Sequence, residues 1–480
     1  MKILFVASEV VPFAKTGGLA DVAGSLPQAL KRLGHQVCIA MPRYKQICKV
    51  EYLIDLPVPM DGKLETAIIR TTQTDGVTVF LIDNYKFFYR DGGLYDHPDD
   101  GERFNFFNKA VLAMLPYVDF KPEIIHCNDW HTGPLPLYLK TKFEEEPFYR
   151  EMATLFTIHN LQYQGRFPKS MLRVMSLGDE FFTPELLEYY GEVNYMKAGL
   201  LYADLLNTVS KQYAREIQTE EFGEGLDGLL RKRGIDLYGI VNGIDYQKFN
   251  PITDPSIYHN YDLEHLEGKL ENKRGLQREL NLPESDAPLL GITTRLAAQK
   301  GVDLLVAAIE DLVRMGVQLV VLGTGEDRLQ KQLAAAKMRY PNQVSVTLGF
   351  DATLAQKIYA GTDIFLMPSR FEPCGLGQLI SFRYGTVPVV RQTGGLMDTV
   401  SEFNPATGEG NGFVFKNYQP SELVAAVRRA LEIYRYRDLW LMLIRNNMQM
   451  DFSWERSAQE YVQLYEKARK KRLESLLHAG

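Results

Sequence analysis

The sequence is poor in cysteine. Its 480 residues include only four, Cys38, Cys48, Cys127 and Cys374, and no two of them form a C-x-x-C pair. Small secreted domains that depend on disulfides, and zinc-binding modules, carry more closely spaced cysteines than these. The cysteine pattern therefore predicts neither a disulfide framework nor a zinc knuckle.

Long apolar runs and an excess of positive charge are also missing. No stretch approaches the ~20 apolar residues of a transmembrane helix, and Ser8 and Glu9 interrupt the apolar start too soon for a signal peptide. Asp and Glu outnumber Lys and Arg by 60 to 54, which gives a net charge of −6. We expect no nucleic-acid partner and no membrane partner. The expected location is cytoplasmic, or a plastid if a transit peptide has been removed.

What the sequence does contain is a regular alternation of short apolar runs and amphipathic helical stretches. The runs lack polar alternation, which is typical of strands buried on both faces of a parallel sheet. The predicted strands are 2–7, 36–41, 77–82, 123–126, 154–158, 205–209, 288–293, 317–322, 344–348, 363–367 and 387–390. Helices are predicted between them, for example over 19–34 and 301–315. Repeated β–α units of this kind predict an α/β fold with doubly wound sheets.

The pattern breaks near Val241–Asp245, where two prolines and a polar stretch follow a strand-like run. The chain is also longer than one ordinary core accommodates. We therefore predict two Rossmann-like domains, 1–241 and 250–455. The last segment, 456–480, is predicted to form a helix that packs back on the first domain.

Doubly wound sheets bind ligands beyond the carboxyl ends of their strands. The first strand is followed by a long loop in which Lys15 precedes Gly17 and Gly18 at the start of a helix. Free N–H groups at a helix start, with a nearby cation, suit an anion. The alternative is a simple turn with a solvated lysine. The loop is not G-x-G-x-x-G, so no dinucleotide fingerprint is present.

Two basic residues, Arg295 and Lys300, follow a predicted strand of the second domain. Arginine binds phosphate oxygens bidentately and lysine acts as a point charge, so the pair suits a diphosphate. A salt-bridged helix entrance is the alternative interpretation.

A second loop of this domain carries a carboxylate, Glu372, followed by Pro373. The N–H groups of Gly375, Leu376 and Gly377 are predicted to open the next helix, so phosphate-binding donors would lie beside a carboxylate suited to sugar hydroxyls. Alternatively, Glu372 only caps that helix. Thr393 and Gly394 open another helix and offer a further backbone nest.

Polar residues also follow two strands of the first domain. His126, Asp129 and His131 lack the spacing of a zinc site, and a sugar-binding rim beside Trp130 is the better interpretation. His159 is suited to hydrogen-bonding a hydroxyl. Tyr95 is either a stacking platform for an acceptor or a surface aromatic.

Together these motifs resemble the bacterial glycogen synthase and plant starch synthase family of retaining glucosyltransferases. The resemblance runs in family order across nearly the whole chain, and the K-T-G-G-L and E-P-C-G-L loops are specific in combination. It implies the GT-B fold, in which two Rossmann-like domains face each other across a deep cleft. The matching stretches are 15–22, 128–131, 157–160, 241–245, 295–301, 370–376 and 393–396.

The resemblance further implies transfer of glucose from ADP-glucose to the non-reducing end of an α-1,4-glucan such as glycogen. Catalytic roles would fall to four residues: Glu372, His159, Arg295 and Lys300. Donor contacts would come from Lys15, Gly18, Asn242, Cys374, Gly375, Leu376, Gly377, Thr393 and Gly394. The acceptor cleft would be shaped by Glu9, Tyr95, Asp129 and His131. No metal or other cofactor is expected, because Arg, Lys and helix ends can neutralise the leaving diphosphate.

One position departs from the family pattern. Gly377 stands where many relatives carry a hydroxyl residue, so a backbone N–H remains but a hydroxyl contact is lost. Two other functions stay open from the sequence: a GT-B glucosyltransferase that uses UDP-glucose or a small acceptor, and a non-catalytic glucan-binding protein.

Overall fold

The structure is a computed structural model that describes residues 1–479. The chain divides into two compact units. The first contains Met1–Gly243 together with the segment that begins at Trp454, and the second is Ile244–Ser453. No helix within the described residues is both long and apolar enough to cross a membrane.

The first unit is built on a nine-stranded sheet with the order β12-β11-β7-β6-β1-β2-β5-β4-β3. Its strands are parallel from β12 to β5, and β3 and β4 join the edge as antiparallel strands. These strands are β1 Lys2–Val6, β2 Gln36–Pro42, β3 Glu51–Met60, β4 Lys63–Thr74, β5 Val77–Asp83, β6 Ile124–Asn128, β7 Ala153–Ile158, β11 Leu205–Thr208 and β12 Leu237–Gly239. A small antiparallel sheet contains β8 Arg166–Pro168, β9 Glu188–Tyr189 and β10 Glu192–Asn194.

Helices connect these strands. They are α1 Gly18–Arg32, α2 Asp100–Met114, α3 Pro134–Thr141, α4 Met171–Val174, α5 Tyr195–Tyr202, α6 Lys211–Glu216 and α7 Asp227–Lys232. In α1 the apolar side chains of Leu19, Val22, Leu26 and Leu30 recur at helical spacing and are all buried.

The second unit has a six-stranded parallel sheet with the order β15-β14-β13-β16-β17-β18. Its strands are β13 Leu289–Thr293, β14 Gln318–Gly323, β15 Val344–Leu348, β16 Ile364–Met367, β17 Val387–Arg391 and β18 Phe413–Phe415. Its helices are α8 Glu267–Glu279, α9 Val302–Arg314, α10 Asp327–Arg339, α11 Ala352–Gly361, α12 Gly377–Arg383, α13 Gly394–Thr399, α14 Pro420–Tyr434 and α15 Arg437–Gln449.

All eleven strands expected from the sequence are present, with ends that differ by at most two residues. The hairpin of β3 and β4 was not expected. Along β3, exposed residues alternate with buried Leu56, Val58 and Met60, so one face is solvated and the strand lacks a continuous apolar run. Five further strands were not predicted because each has only two or three residues, too few for an apolar run to be recognised: β8, β9, β10, β12 and β18.

The last helix, α16 Trp454–Ala479, belongs to the first unit and packs on α1, β6 and β7. Two of its tyrosines insert hydroxyl groups into a fully buried polar network. Tyr465 bonds the Nδ1 atom of His126 at 2.8 Å, and the His126 Nε2 atom bonds the hydroxyl of Thr157 at 2.7 Å. The hydroxyl of Tyr461 accepts from the amide of Asn207 at 3.0 Å. These bonds attach the helix to β6, β7 and β11.

We predict that Tyr465→Phe destabilises the first unit by about 1–3 kcal/mol, because it leaves a buried nitrogen of His126 without a partner. Hydrogen–deuterium exchange of the peptides that contain β6 and β7 measures this loss locally. Tyr436→Phe is the matched control, since Tyr436 is 64% exposed and its hydroxyl should contribute within about 0.5 kcal/mol. Equal protection in the two variants would show that the hydroxyl of Tyr465 does not stabilise the sheet.

Candidate active site

In the first unit, polar side chains gather where the order of the sheet reverses. Strand β1 has β2 on one side and β6 on the other, so the crossover connections diverge at its carboxyl end. Glu9 follows β1, Asp129 follows β6 and His159 follows β7. Because these parallel strands are neighbours, the three side chains are brought to one edge of the sheet.

Glu9 organises the long loop after β1. Its carboxylate is only 3% exposed and accepts hydrogen bonds from the backbone N–H groups of Thr16, at 2.5 Å, and Gly17, at 3.2 Å. Burial is the main cause that raises the pKa of Glu9. Two of the N–H groups that could have received an external anion are thus engaged by the protein itself. The ammonium of Lys15 lies 2.7 Å from the carboxylate of Asp21, and both are partly exposed. Gly18 starts α1, and a Cβ built on it would have no atom within 4 Å.

Asp129 and His159 are joined through the backbone. Oδ1 of Asp129 accepts the backbone N–H of His159 at 2.7 Å. Asp129 has a φ of +57°, a conformation that costs a non-glycine residue about 1–3 kcal/mol and is concentrated at functional sites. Burial raises the pKa of Asp129 to about 7 and lowers the pKa of His159 to about 3. The His159 ring is therefore neutral at neutral pH.

An aromatic cluster lies beside these residues. Tyr95 bonds the hydroxyl of Ser8 at 2.7 Å, and its ring centroid is 4.5 Å from that of His131. His131 stacks on Trp130 at 3.9 Å and meets Phe104 edge-on. Both nitrogens of His131 are buried without a hydrogen-bond partner, so this residue shapes the wall through its ring. Because Tyr95 packs within this cluster, it is not an isolated aromatic side chain on the surface, which was one of the two interpretations from the sequence.

Two other polar residues of this unit, His126 and Asn242, are buried. His126 lies in the core, and both of its nitrogens are used by Tyr465 and Thr157, so it does not reach the rim with Asp129. Asn242 is 6% exposed, and its carbonyl oxygen has no partner in the described residues. Within residues 1–479, no group of three His, Cys, Asp or Glu residues is arranged to hold a metal ion.

In the second unit the sheet reverses its order between β13 and β16. Lys300 follows β13, Glu372 follows β16, and the Lys300 ammonium lies 2.9 and 2.7 Å from the two carboxylate oxygens. The hydroxyl of Ser369 donates to Glu372 at 3.0 Å. Glu372 is 6% exposed, whereas Arg295 is exposed and donates to Gln299 at 2.9 Å. The predicted phosphate-binding lysine is therefore paired with the predicted catalytic carboxylate.

Glycines allow the loop that carries Glu372 to approach its neighbours. A Cβ on Gly301 would lie 2.0 Å from the carbonyl oxygen of Pro368, and one on Gly394 would lie 2.0 Å from that of Glu372. Both glycines have positive φ, +73° and +45°, which also favours glycine. The N–H of Gly395 donates to the same Glu372 carbonyl at 3.1 Å. The backbone of Glu372 is thus held on two sides.

The start of α12 differs from the expectation. The helix begins at Gly377 with Leu376 as its cap, so Gly375 remains in the loop because its φ of +75° is incompatible with a right-handed helix. A Cβ on Gly377 would lie 2.9 Å from the ring of Phe365. The Phe365 ring therefore occupies part of the space that a hydroxyl-bearing side chain would need at position 377.

A cavity opens beside Lys300 and Glu372. It combines an apolar floor from β13 and β16 with the polar groups of the two loops. Its lining residues are Ile292, Thr293, Thr294, Lys300, Tyr359, Phe365, Leu366, Met367, Ser369, Glu372, Gly375, Leu376 and Gly377. Cys374, which precedes the lining residue Gly375, and Thr393 are not among the lining residues and are 6% and 1% exposed.

Sequence reasoning missed the residues that hold others in place. Asn128 bonds the ring of His159, Ser369 bonds Glu372, and the amide of Gln378 donates to the carbonyls of Cys374 and Gly375. All three stand inside or next to the quoted motifs. Their side-chain type alone did not distinguish a supporting hydrogen bond from a contact with a ligand.

Comparisons with known proteins point to one family. The sequence model described as "Starch synthase catalytic domain" matches residues 2–232, and that described as "Glycosyl transferases group 1" matches residues 274–444. The glycogen synthase of Moorella thermoacetica is 59% identical, with 100% of this chain and 99% of the relative covered. That of Desulforudis audaxviator is 55% identical, with 98% and 97% covered.

Solved structures give the same picture. The catalytic domain of starch synthase IV from Arabidopsis thaliana bound to ADP and acarbose is similar with a TM-score of 0.90 and 35% identity, over 98% of this chain and 99% of that chain. Sucrose-phosphate synthase from Thermosynechococcus elongatus has a TM-score of 0.62 and 18% identity, over 97% and 98% of the two chains. The second likeness concerns the fold alone.

We predict that Asp129→Asn becomes progressively more stable than the unchanged protein as the pH rises from about 4 to 7. The folded pKa of Asp129, about 7, lies above its ordinary value of 3.8. The folded state therefore holds its proton longer than the unfolded state, and stability falls as ionisation proceeds through this window. Asparagine keeps the acceptor for the His159 N–H without ionising.

Urea unfolding at several pH values measures this difference, with Glu220→Gln as the control because Glu220 is exposed. The control should show a difference that does not change with pH. A flat profile for Asp129→Asn as well would contradict the raised pKa.

Proposed function

Because this chain belongs to the glycogen and starch synthase family of glycosyltransferases, we propose that it transfers glucose from ADP-glucose to the non-reducing end of an α-1,4-glucan. The predicted family and the GT-B fold are confirmed. The observation that carries the proposal for the chemical step is the pairing of Lys300 with Glu372 beside a cavity at the reversal point of the second sheet. Cation, carboxylate and cavity together suit a sugar diphosphate.

The leaving diphosphate gains negative charge as its bond to glucose breaks. Lys300 lines the cavity, and Arg295 is exposed on the same loop after β13. Placed cations that meet charge as it develops are among the strongest catalytic contributions. In the structure the Lys300 ammonium donates hydrogen bonds to Glu372. We propose that a phosphate oxygen of the bound donor accepts some of these hydrogen bonds in place of Glu372, so that the Glu372 carboxylate turns toward the glucosyl unit.

The cavity contributes one carboxylate, Glu372, among its lining residues. Retaining glycosidases use two carboxyl groups about 5 Å apart. We therefore propose that the acceptor 4-hydroxyl attacks on the same face as the departing diphosphate, which accepts the proton. A kinetically competent glucosyl adduct on Glu372 would contradict this route.

The acceptor side is proposed to lie on the first unit. Tyr95 and His131 form an aromatic wall, and Glu9 and Asp129 offer buried carboxyl groups at the same sheet edge. Aromatic faces and carboxyl oxygens are suited to the two faces and the hydroxyls of a sugar ring. The roles of Lys15, Gly18 and Asn242 toward the donor, and those of Cys374, Thr393 and Gly394, stay predictions.

ADP is the proposed nucleotide because a similar starch synthase structure holds ADP and acarbose. We further propose that no metal is required, since Arg295 and Lys300 supply positive charge to the diphosphate. A cytoplasmic location is proposed as well: the four cysteines are free thiols, three of them buried, as suits a reducing compartment.

The proposal predicts glucose incorporation into glycogen from ADP-glucose, at a higher kcat/KM than from UDP-glucose and undiminished by EDTA. Lys300→Ala should lower kcat by about 10²–10³-fold, the usual loss when one charge-stabilising group is removed. Lys331→Ala is the matched control, because Lys331 is an exposed lysine of the same unit, and it should retain the activity of the unchanged protein.

Four outcomes would contradict parts of this account. Incorporation from UDP-glucose alone would contradict the proposal that ADP-glucose is the donor. Loss of activity in EDTA would contradict the proposal that no metal is required. Binding of glycogen without incorporation from either donor would favour a non-catalytic glucan-binding protein, and transfer to small sugars alone would favour a different acceptor.

A further inference from the structure

The ring of His159 is held by one side chain. Its Nε2 atom lies 2.9 Å from Oδ1 of Asn128. Asn128 is the last residue of β6 and His159 directly follows the neighbouring parallel strand β7. The His159 backbone is fixed separately by Asp129 at 2.7 Å. The position of the ring is therefore set by the protein before any ligand binds.

The orientation of the Asn128 amide is decided by its other contacts. Its Nδ2 atom lies 3.0 Å from the carbonyl oxygen of Val6 and 3.2 Å from that of His126. Carbonyl oxygens only accept, so the NH₂ group must face them and the carbonyl oxygen Oδ1 must face His159. A flipped amide would place oxygen against oxygen at both positions.

The amide in turn decides which nitrogen of His159 carries the proton. Because Oδ1 of Asn128 can only accept, Nε2 must be the N–H donor. A neutral imidazole has one N–H and one lone pair, so the lone pair belongs to Nδ1. No group within residues 1–479 forms a hydrogen bond with Nδ1, and it is not among the buried unpartnered atoms. Nδ1 is thus an accessible acceptor.

We propose that Asn128 is a positioning residue that fixes His159 in the Nε2–H tautomer, so that Nδ1 accepts a hydrogen bond from a hydroxyl of the bound sugar. This inference rests on the proposed function for the identity of the ligand. According to this inference, a sugar hydroxyl donates a hydrogen bond to Nδ1 of His159. A phosphate oxygen cannot be the direct partner, because it and the Nδ1 lone pair are both acceptors and repel each other. The tautomer itself follows from the protein alone.

The tautomer is measured directly on the unchanged protein by long-range ¹H–¹⁵N NMR of its histidine rings, with His159→Gln to identify the signals. A protonated nitrogen and a bare nitrogen have well-separated ¹⁵N shifts. We expect a bare Nδ1 and a protonated Nε2 at neutral pH. A proton on Nδ1, or a doubly protonated ring, would overturn the proposal without any activity measurement.

Variants of Asn128 test its positioning role. Asn128→Ala removes the acceptor and should give a mixture of tautomers, with kcat/KM lowered by about tenfold, the value of one hydrogen bond. Asn128→Asp keeps an oxygen acceptor for Nε2 and should keep Nε2 protonated, but it should be less stable than the unchanged protein because its second oxygen faces the carbonyls of Val6 and His126. Thr132→Val is the control, because the Thr132 hydroxyl bonds the backbone carbonyls of Asn128 and Asp129 and makes no bond to the Asn128 amide. An unchanged tautomer in Asn128→Ala would refute the role of the amide.

ADP-glucose analogues in which single hydroxyls are replaced by hydrogen or fluorine test the contact with sugar. Fluorine does not donate a hydrogen bond, so at the hydroxyl that contacts Nδ1 both replacements should lower kcat/KM about tenfold. In His159→Ala, where this contact is already lost, neither replacement should lower kcat/KM further. Tolerance of fluorine at every position would overturn the contact. Failure of all donors would count against the proposed function while leaving the NMR result intact.

Discussion

The structure around Glu372 depends on backbone approaches that only glycine permits. Gly301 contacts the carbonyl of Pro368 and Gly394 contacts the carbonyl of Glu372, each so closely that a Cβ would overlap the oxygen. Lys300 immediately precedes Gly301, so the approach that fixes the loop also fixes the ammonium beside the carboxylate. The ion pair and the cavity next to it lie on the loops that this packing holds together.

The first unit reaches a comparable rigidity by different means. Its sheet edge is supported from behind by buried hydrogen bonds that join α16 to β6, β7 and β11. Two residues after His126 and Thr157 along the chain, Asn128 and His159 form the next bonded pair. Asp129 holds an unfavourable φ at the end of β6, and its carboxylate bonds the neighbouring strand end. The bonds of Asn128 and Asp129 to His159 thus fix both its ring and its backbone at the edge where a ligand would bind.

How much of this could be predicted depends on the kind of signal. Strands buried on both faces have continuous apolar runs, so β1, β6, β7 and the strands β13 to β17 of the second sheet were found. The rule that chemistry follows such strands led to Asp129, His159, Lys300 and Glu372, whereas Glu9 came from the family resemblance. Strand β3 has one solvated face and gave no such run. The division between Gly243 and Ile244, and between Ser453 and Trp454, is a property of the packing.

The partners of the candidate residues could not be predicted from the sequence. The sequence predicts that Lys300 binds phosphate, but its partner in the structure is Glu372, which lies 72 residues away along the chain. Lys15 pairs with Asp21, and Glu9 uses the N–H groups of its own loop. The orientation of Asn128 depends on carbonyls of two other positions. Such pairings arise from three-dimensional geometry, which residue type and spacing do not contain.

The central claim is that glucose is added to the non-reducing end of a glucan through an α-1,4 bond. Glycogen extended with radioactive ADP-glucose should therefore release its label as maltose on digestion with β-amylase, which removes maltose from non-reducing α-1,4 ends. Label that resists β-amylase, that remains free glucose or that is recovered in a small sugar acceptor would contradict the account.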